Sequence, residues 1–269
     1  MASVASTPTT FPDGIDVVPT TFTLDGQKWT VEVPQKYYDW SFIMAHFPAS
    51  TARVRALIPT DTLQPVELLP RVAVVTLAAF EYRQPATLAP YNEVGIMVPV
   101  RYKPRSNVPL LPLLWPENYD VGFWIHHLPV TTEEARAAGL HFWNFPKVLA
   151  EIRFRDVGWM RECELHEDGQ HVLTLCAPVG ETRTEPRQFY AFSVMNGQVL
   201  KTLVDTRAPY YAWNVPGRAS FELGDHEVAQ QLRHLAVQNV AIAGLYATSA
   251  RSRLHPGIVP GTAATSSTP

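Results

Sequence analysis

The sequence predicts a β-rich α+β fold, an antiparallel barrel-like sheet with a few short peripheral helices. Three observations carry that expectation. Short alternating apolar runs recur along the chain and are punctuated by Asp25-Gly26, Asp168-Gly169 and Asn196-Gly197, dipeptides that suit tight hairpin turns. Prolines outnumber glycines, 24 to 14, which favours many strands and turns over long helices. Helical periodicity is confined to about three short segments.

Taken in order, residues 1–19 and 258–269 are rich in Ser, Thr, Pro and Ala and are expected to be mobile ends around one domain spanning 20–257. Thr21 to Val33 alternates around Asp25-Gly26 as a hairpin, and Trp40 to Phe47 follows as a strand. Ser50 to Ile58 places Val54, Leu57 and Ile58 on one helical face, ended by Pro59. Val66 to Leu69 and Arg71 to Tyr82 read as strands, the second apolar enough to be covered on both faces. Gln84 to Pro90 is expected as a loop leading through Tyr91-Asn92-Glu93 into a buried strand, Val94 to Val100, with Glu93 at its mouth.

Pro104, Pro109, Pro112 and Pro116 then break regular structure, and the leucines among them, with Trp115, suggest a loop packed on the body or against another subunit. After a strand from Val121 to Leu128, Thr131 and Glu134 form a capping-box pattern for a short helix, with Gly139 as its stop. Strands continue from Glu151 to Cys176 and from Gln188 to Asp205 through the two remaining hairpins. Asp225 can cap a helix carrying Val228, Leu232 and Leu235, and Val237 to Ala247 is the last apolar strand.

A net charge of −3 with scattered basic residues offers no nucleic-acid surface. The start of the chain lacks the basic and apolar pattern of a secretory signal. The longest apolar stretch, Val72 to Phe80, falls far short of the roughly 18 residues that span a bilayer. Neither membrane nor nucleic-acid partners are expected. Cys163 and Cys176 flank the Asp168-Gly169 turn. If Glu167 pairs with Gln170, Cys163 faces Thr174 rather than Cys176, so two free thiols in a reducing cytoplasm are expected.

Among Lys28, Lys36, Lys103, Lys147 and Lys201, only Lys147 stands in an apolar run, Phe142-Trp143-Asn144-Phe145-Pro146-Lys147-Val148-Leu149-Ala150-Glu151-Ile152. Pro146 pushes Phe145 to an extended conformation, so Lys147 is expected on the first rungs of a strand, sharing a face with Leu149 and Glu151. An ammonium taken out of water tends to lose its proton, and the neutral amine can attack a carbonyl to form a Schiff base. The plain alternative is a lysine reaching from a strand end to solvent.

The stretch from Thr131 to Lys147, in which a short helix leads to an aromatic-Pro-Lys, resembles the segment of acetoacetate decarboxylase and its relatives that carries the Schiff-base lysine; that enzyme is itself a standard example of an activated lysine. Tyr91-Asn92-Glu93 with the strand to Val98-Pro99-Val100 resembles the family segment bearing an active-site glutamate. The resemblance extends more weakly from about Tyr38 to Pro256. It implies a cone-shaped barrel around Lys147, Glu93 as electrostatic or acid-base partner, no cofactor, and assembly into homo-oligomers, for which 104–116 is the candidate contact.

The chain departs from the family in ways that bear on its substrate. Val148 stands where the decarboxylases have a second lysine, so desolvation must do the work of a neighbouring positive charge. Trp40 falls where they carry an arginine suited to a carboxylate, and Val75 where they carry another glutamate. An apolar wall in place of a charged one disfavours a small free β-keto acid, because an unpaired carboxylate there costs several kcal/mol. A larger, more apolar carbonyl substrate is expected, undergoing aldol, retro-aldol, dehydration or cyclisation chemistry, with Trp40, Val75, Tyr91, Phe142 and Phe145 as candidate pocket walls. Genuine β-keto acid decarboxylation and a non-catalytic barrel holding an apolar ligand are the rivals. His126-His127, with His141 and Glu151, lacks zinc-type spacing, and no phosphate loop or Gly-x-Ser-x-Gly elbow is present.

Overall fold

In a computed structural model, residues 17–104, 106, 108–114, 118–181 and 183–260 are described. Expectations placed on 1–16, on Trp115 and Pro116 and on 261–269 lie outside that set. The described elements are β1 (Val18–Leu24), β2 (Gln27–Val33), β3 (Gln35–Ser50), α1 (Thr51–Leu57), β4 (Leu63–Pro65), β5 (Glu67–Leu69), β6 (Val72–Pro85), β7 (Tyr91–Tyr102), α2 (Leu111–Leu114) and β8 (Val121–His127). There follow α3 (Glu133–Trp143), β9 (Glu151–Val157), β10 (Met160–Glu167), β11 (Gln170–Pro178), β12 (Arg183–Met195), β13 (Gln198–Trp213), β14 (Ser220–Leu223), α4 (Glu227–His234) and β15 (Ala243–Leu254). No described helix is long and apolar enough to cross a membrane.

Seven strands close on themselves in the order β7-β8-β12-β13-β15-β3-β6, with β6 pairing back to β7. The predicted barrel is present, with one difference: β8 and β12 run parallel, registered at Ala191↔Phe123 and Phe192↔Trp124, while every other junction is antiparallel. A second sheet, β14-β11-β10-β9, packs outside, and β1-β2 forms a separate hairpin.

Strand alternation divides the core in two. On β3, Trp40, Phe42 and Met44 face the barrel interior, while Ile43, Ala45 and Phe47 face outward onto Leu165, Leu173, Phe221 and Leu232 of the second sheet and α4. Phe47 meets Phe221 edge-on, 4.9 Å between ring centres. Burying one such side chain contributes roughly 1.5–3 kcal/mol, so the outer layer holds β3 and β6 firmly while the inner face is left to line a cavity.

Several boundaries differ from the sequence expectation for identifiable reasons. The first strand begins at Val18. β3 is much longer than Trp40 to Phe47 because irregular pairing around Asp39 hides its alternation, and Arg83 grips Asp39 there through two hydrogen bonds of 2.6 and 2.8 Å. Glu93 lies within β7, pairing with Phe80, rather than at a strand mouth. The last strand starts at Ala243, because Gln238 and Ile242 donate to the backbone of Pro48 and His46 and Asn239 accepts from Phe221, which ties that apolar segment down as a loop.

The caps shift too. Thr132 caps α3 through Ala135, while Thr131 accepts from Asn92 and Glu134 from Ala89. His226, not Asp225, caps α4. Gly139 lies inside α3, which ends at Asn144 in the left-handed region, φ 47°. Cys163 and Cys176 are free, but a bulge between Leu165 and His166 puts Cys163 opposite Leu175 rather than Thr174.

Candidate active site

Lys147 reaches the barrel interior from an extended segment before β9, not from a strand rung. Leu128 donates to Pro146 (3.2 Å), Val130 to Val148 (2.9 Å) and Ala150 to Val130 (2.9 Å), so 146–150 runs parallel beside 128–130. On its other side Val130 bridges Glu93, flanked by bonds from Val94 to Pro129 (3.0 Å) and Thr131 to Asn92 (3.1 Å). One backbone residue therefore spaces the glutamate strand from the lysine segment. The expected shared face fails: Lys147 is 8% exposed, whereas Leu149 is 49% exposed and Glu151 is also exposed.

The lysine stem passes over Gly139. A Cβ at that position would collide with Cδ of Lys147 and lie 2.6 Å from Cε, so this helix glycine is the gap through which the side chain runs. At the end of its path Nζ of Lys147 lies 2.7 Å from Oε2 of Glu93, both side chains 7% exposed, and 5.4 Å from the ring centre of Tyr91.

Three tyrosines gather around this pair. The hydroxyl of Tyr82 donates to Oε1 of Glu93 at 3.4 Å, and Tyr37 and Tyr91 share a hydrogen bond of 3.0 Å. Burial raises the pKa of all three phenols, Tyr82 and Tyr91 well above the ordinary value, and the Glu93 carboxylate raises each further. They remain protonated donors.

The amine and carboxylate open onto a cavity of about 120 Å³, walled by Trp40, Phe42, Met44, Ile125 and Phe145 among others; among the described residues, Lys147 and Glu93 are the only charged side chains in its lining. Of the candidate wall residues, Trp40, Tyr91 and Phe145 line this cavity. Val75 does not: it pairs with outward-facing Phe47 and is buried in the outer layer. Nor does Phe142, which packs edge-on to Phe22 of the hairpin at 5.2 Å. Tyr37 and Tyr82 were missed, although Tyr82 shares the phase of Phe80 on β6, a signal that would have found it.

The candidate metal set is dispersed. His126 contacts Gln231 (3.0 Å), His127 contacts Glu167 (2.7 Å), His141 stacks on Phe22 and Glu151 pairs with Arg153. Among the described residues no three His, Cys, Asp or Glu side chains gather as a metal site.

The model of the acetoacetate decarboxylase family matches residues 18–258. The chain belongs to this family. No curated protein matches it in sequence. Among solved structures of similar fold, acetoacetate decarboxylase from Legionella pneumophila shares 18% identity over 84% of this chain and 86% of its own, TM-score 0.62. The enduracididine biosynthesis enzyme MppR, complexed with the condensation product of pyruvate and imidazole 4-carboxaldehyde, shares 14% identity over 92% and 98%, TM-score 0.62. An acetoacetate decarboxylase-like enzyme from Sphingomonas wittichii RW1 shares 16% over 88% and 97%, TM-score 0.52. The family fold thus accompanies more than one named enzyme.

Proposed function

We propose that this member of the acetoacetate decarboxylase family is a lyase in which Lys147 condenses with a ketone or aldehyde and the resulting imine drives cleavage or formation of a bond beside the carbonyl carbon. The observation that carries the reading is a buried primary amine 2.7 Å from one carboxylate, opening onto an aromatic cavity. Transfer of the ammonium proton to Glu93 leaves two neutral groups, and the freed lone pair attacks the carbonyl carbon. Loss of water gives the iminium, which takes up the electron pair of the adjacent breaking bond as an enamine. Glu93, held by Tyr82, then supplies or removes the proton at the neighbouring carbon.

Among the described residues the lining holds no arginine and no second cation, which supports an apolar carbonyl substrate over a free β-keto acid, since a carboxylate there finds only the paired Lys147. The solved structure of MppR with the condensation product of pyruvate and imidazole 4-carboxaldehyde supports including aldol-type chemistry in this reading. The chamber beside the amine is compact: an engineered apolar cavity of about 150 Å³ takes benzene, so the reacting end of the substrate is of roughly that size. Cytoplasmic placement and self-association belong to the same reading.

The Lys147–Glu93 ion pair itself favours a second reading, in which the lysine stays charged and the barrel only holds a ligand. Borohydride reduction with candidate ketones and aldehydes separates the two. The peptide containing Lys147 should gain the reduced substrate mass, and Lys147→Ala should gain none. Unmodified wild-type peptide across a panel of small apolar carbonyl compounds would leave the binder.

A further inference from the structure

The polar groups around the amine have found partners. Tyr82 donates to Glu93, Tyr37 and Tyr91 share a hydrogen bond, and Lys147 pairs with Glu93. Two other polar atoms of the same chamber have not. Nε1 of Trp40 and Oγ1 of Thr206 are buried without a hydrogen-bond partner among the described residues, in side chains that line the cavity. Trp40 is 5% exposed and Thr206 is fully buried. A buried indole N–H normally finds an acceptor, and leaving a buried donor unpaired is costly.

The strands put both groups on the wall away from the ion pair. Trp40 of β3 stands opposite Ala250 of β15; one inward row along, Ser252 of β15 has Tyr37 of β3 on one side and Thr206 of β13 on the other. Glu93 belongs to β7, two strands from Trp40 by way of β6 and three from Thr206 by way of β8 and β12. The Trp40 ring is held by Phe42, Tyr82 and Phe80, with centres 5.2, 5.5 and 6.0 Å away, which fixes the direction of its N–H. Both orphan atoms are closed to solvent, so water does not meet their need. Seating a ligand atom beside them takes a small shift of neighbouring side chains, for which the empty chamber and the unbranched Met44 in its wall leave room.

An indole nitrogen only donates, so what Trp40 lacks is an acceptor, and the Thr206 hydroxyl can donate to an acceptor as well. Neither brings charge. A carboxylate would stay uncompensated beside them, whereas an ether, hydroxyl or keto oxygen costs far less to desolvate. We infer that Trp40 and Thr206 form a subsite for a second, uncharged oxygen of the substrate, remote from the carbonyl that reaches Lys147. The substrate class narrows to an oxygenated ketone or aldehyde, such as an alkoxyketone, a hydroxyketone or a diketone. This rests on the imine reading of Lys147 for the reacting end only.

Two pairs of ligands of equal size test the subsite by calorimetry without reductant: 5-methoxypentan-2-one against heptan-2-one, and 6-methoxyhexan-2-one against octan-2-one. In each pair an oxygen replaces a methylene. The ether preference, the Kd of the plain ketone divided by that of the methoxyketone, is compared between wild type and variants, so that the different hydration of the two ligands cancels. Trp40→Phe keeps an aromatic ring and loses the N–H; it should lower the preference about fivefold at one spacing or both. An unchanged preference at both spacings overturns the subsite. Thr206→Val should lower it by a similar factor and melt no lower than wild type, because the hydroxyl it removes is unpartnered. A lower melting temperature, or an unchanged preference in that variant alone, overturns the part given to Thr206. Borohydride capture run in parallel separates this inference from the imine: capture at Lys147 without an ether preference that depends on Trp40 removes the subsite and keeps the imine, and such a preference without capture keeps the subsite and removes the imine.

Discussion

Gly139 decides how far the amine can reach. Replacing it with Ala improves helix propensity by about 1 kcal/mol, but the added methyl occupies the path of the Lys147 stem, and overpacking of that kind costs roughly 1–3 kcal/mol. The two effects nearly offset in stability and do not offset in position. Gly139→Ala is therefore expected to melt within a few degrees of wild type while borohydride capture at Lys147 slows at least about tenfold; unchanged capture would mean the stem has another route. Lys147 was legible in the sequence because it alone among the lysines follows an aromatic-Pro pair. The role of Gly139 was not, since a glycine near the end of a short helical pattern reads locally as a stop, and only the crossing of the helix and the lysine segment gives it another purpose. Val75 failed for a related reason: which face of β6 looks inward is fixed by its register with β3, and no property of the valine reports it.

At the scale of elements, the passage from α3 to the lysine segment turns on Asn144. It adopts φ 47°, and its side-chain amide donates to the carbonyl of Val194 at 2.5 Å, tying the helix end to β12. Asn144→Gly should keep the turn and lose only the tie, at about 1 kcal/mol, whereas Asn144→Val must also adopt a left-handed conformation costing about 1–2 kcal/mol more. Thermal melts of the two variants check the order; a valine variant as stable as the glycine one would sink the argument. Hairpins were the easiest elements to read, because Asp25, Asp168 and Asn196 each supply the positive φ that their Gly-containing turns need. Long strands were harder, since bulges such as those flanking Asp39 interrupt the alternation that announces a strand. The Lys147 segment was hardest: its hydrogen bonds go to a parallel neighbour at 128–130, so it behaves as a strand on one side and leaves no two-residue pattern of burial.

At the scale of the whole molecule, closure of the barrel depends on its least extensive junction. β3 and β6 pair from Tyr37↔Pro85 to Ser50↔Val72, while β8 and β12 are registered at two positions and run parallel. Gly122 lets them approach, since a Cβ there would lie 2.6 Å from the carbonyl oxygen of Tyr190. Backbone amides of Phe123, Trp124, Ala191 and Phe192 that bond across this seam should exchange with deuterium faster than those of Ile43 to Phe47; equal protection would show the seam to be as strong as the rest. Local patterns announced a strand-rich barrel, but not where it would shut, because a parallel pairing between residues some seventy positions apart leaves no mark on either strand. Val130 lies away from that seam, with Glu93 on one flank and Leu149 on the other. Loosening of the wall can thus alter what is admitted without detuning the distance over which a proton is handed across, so admission and reactivity are separable under mutation, and one scaffold can take in new molecules without relearning how to react.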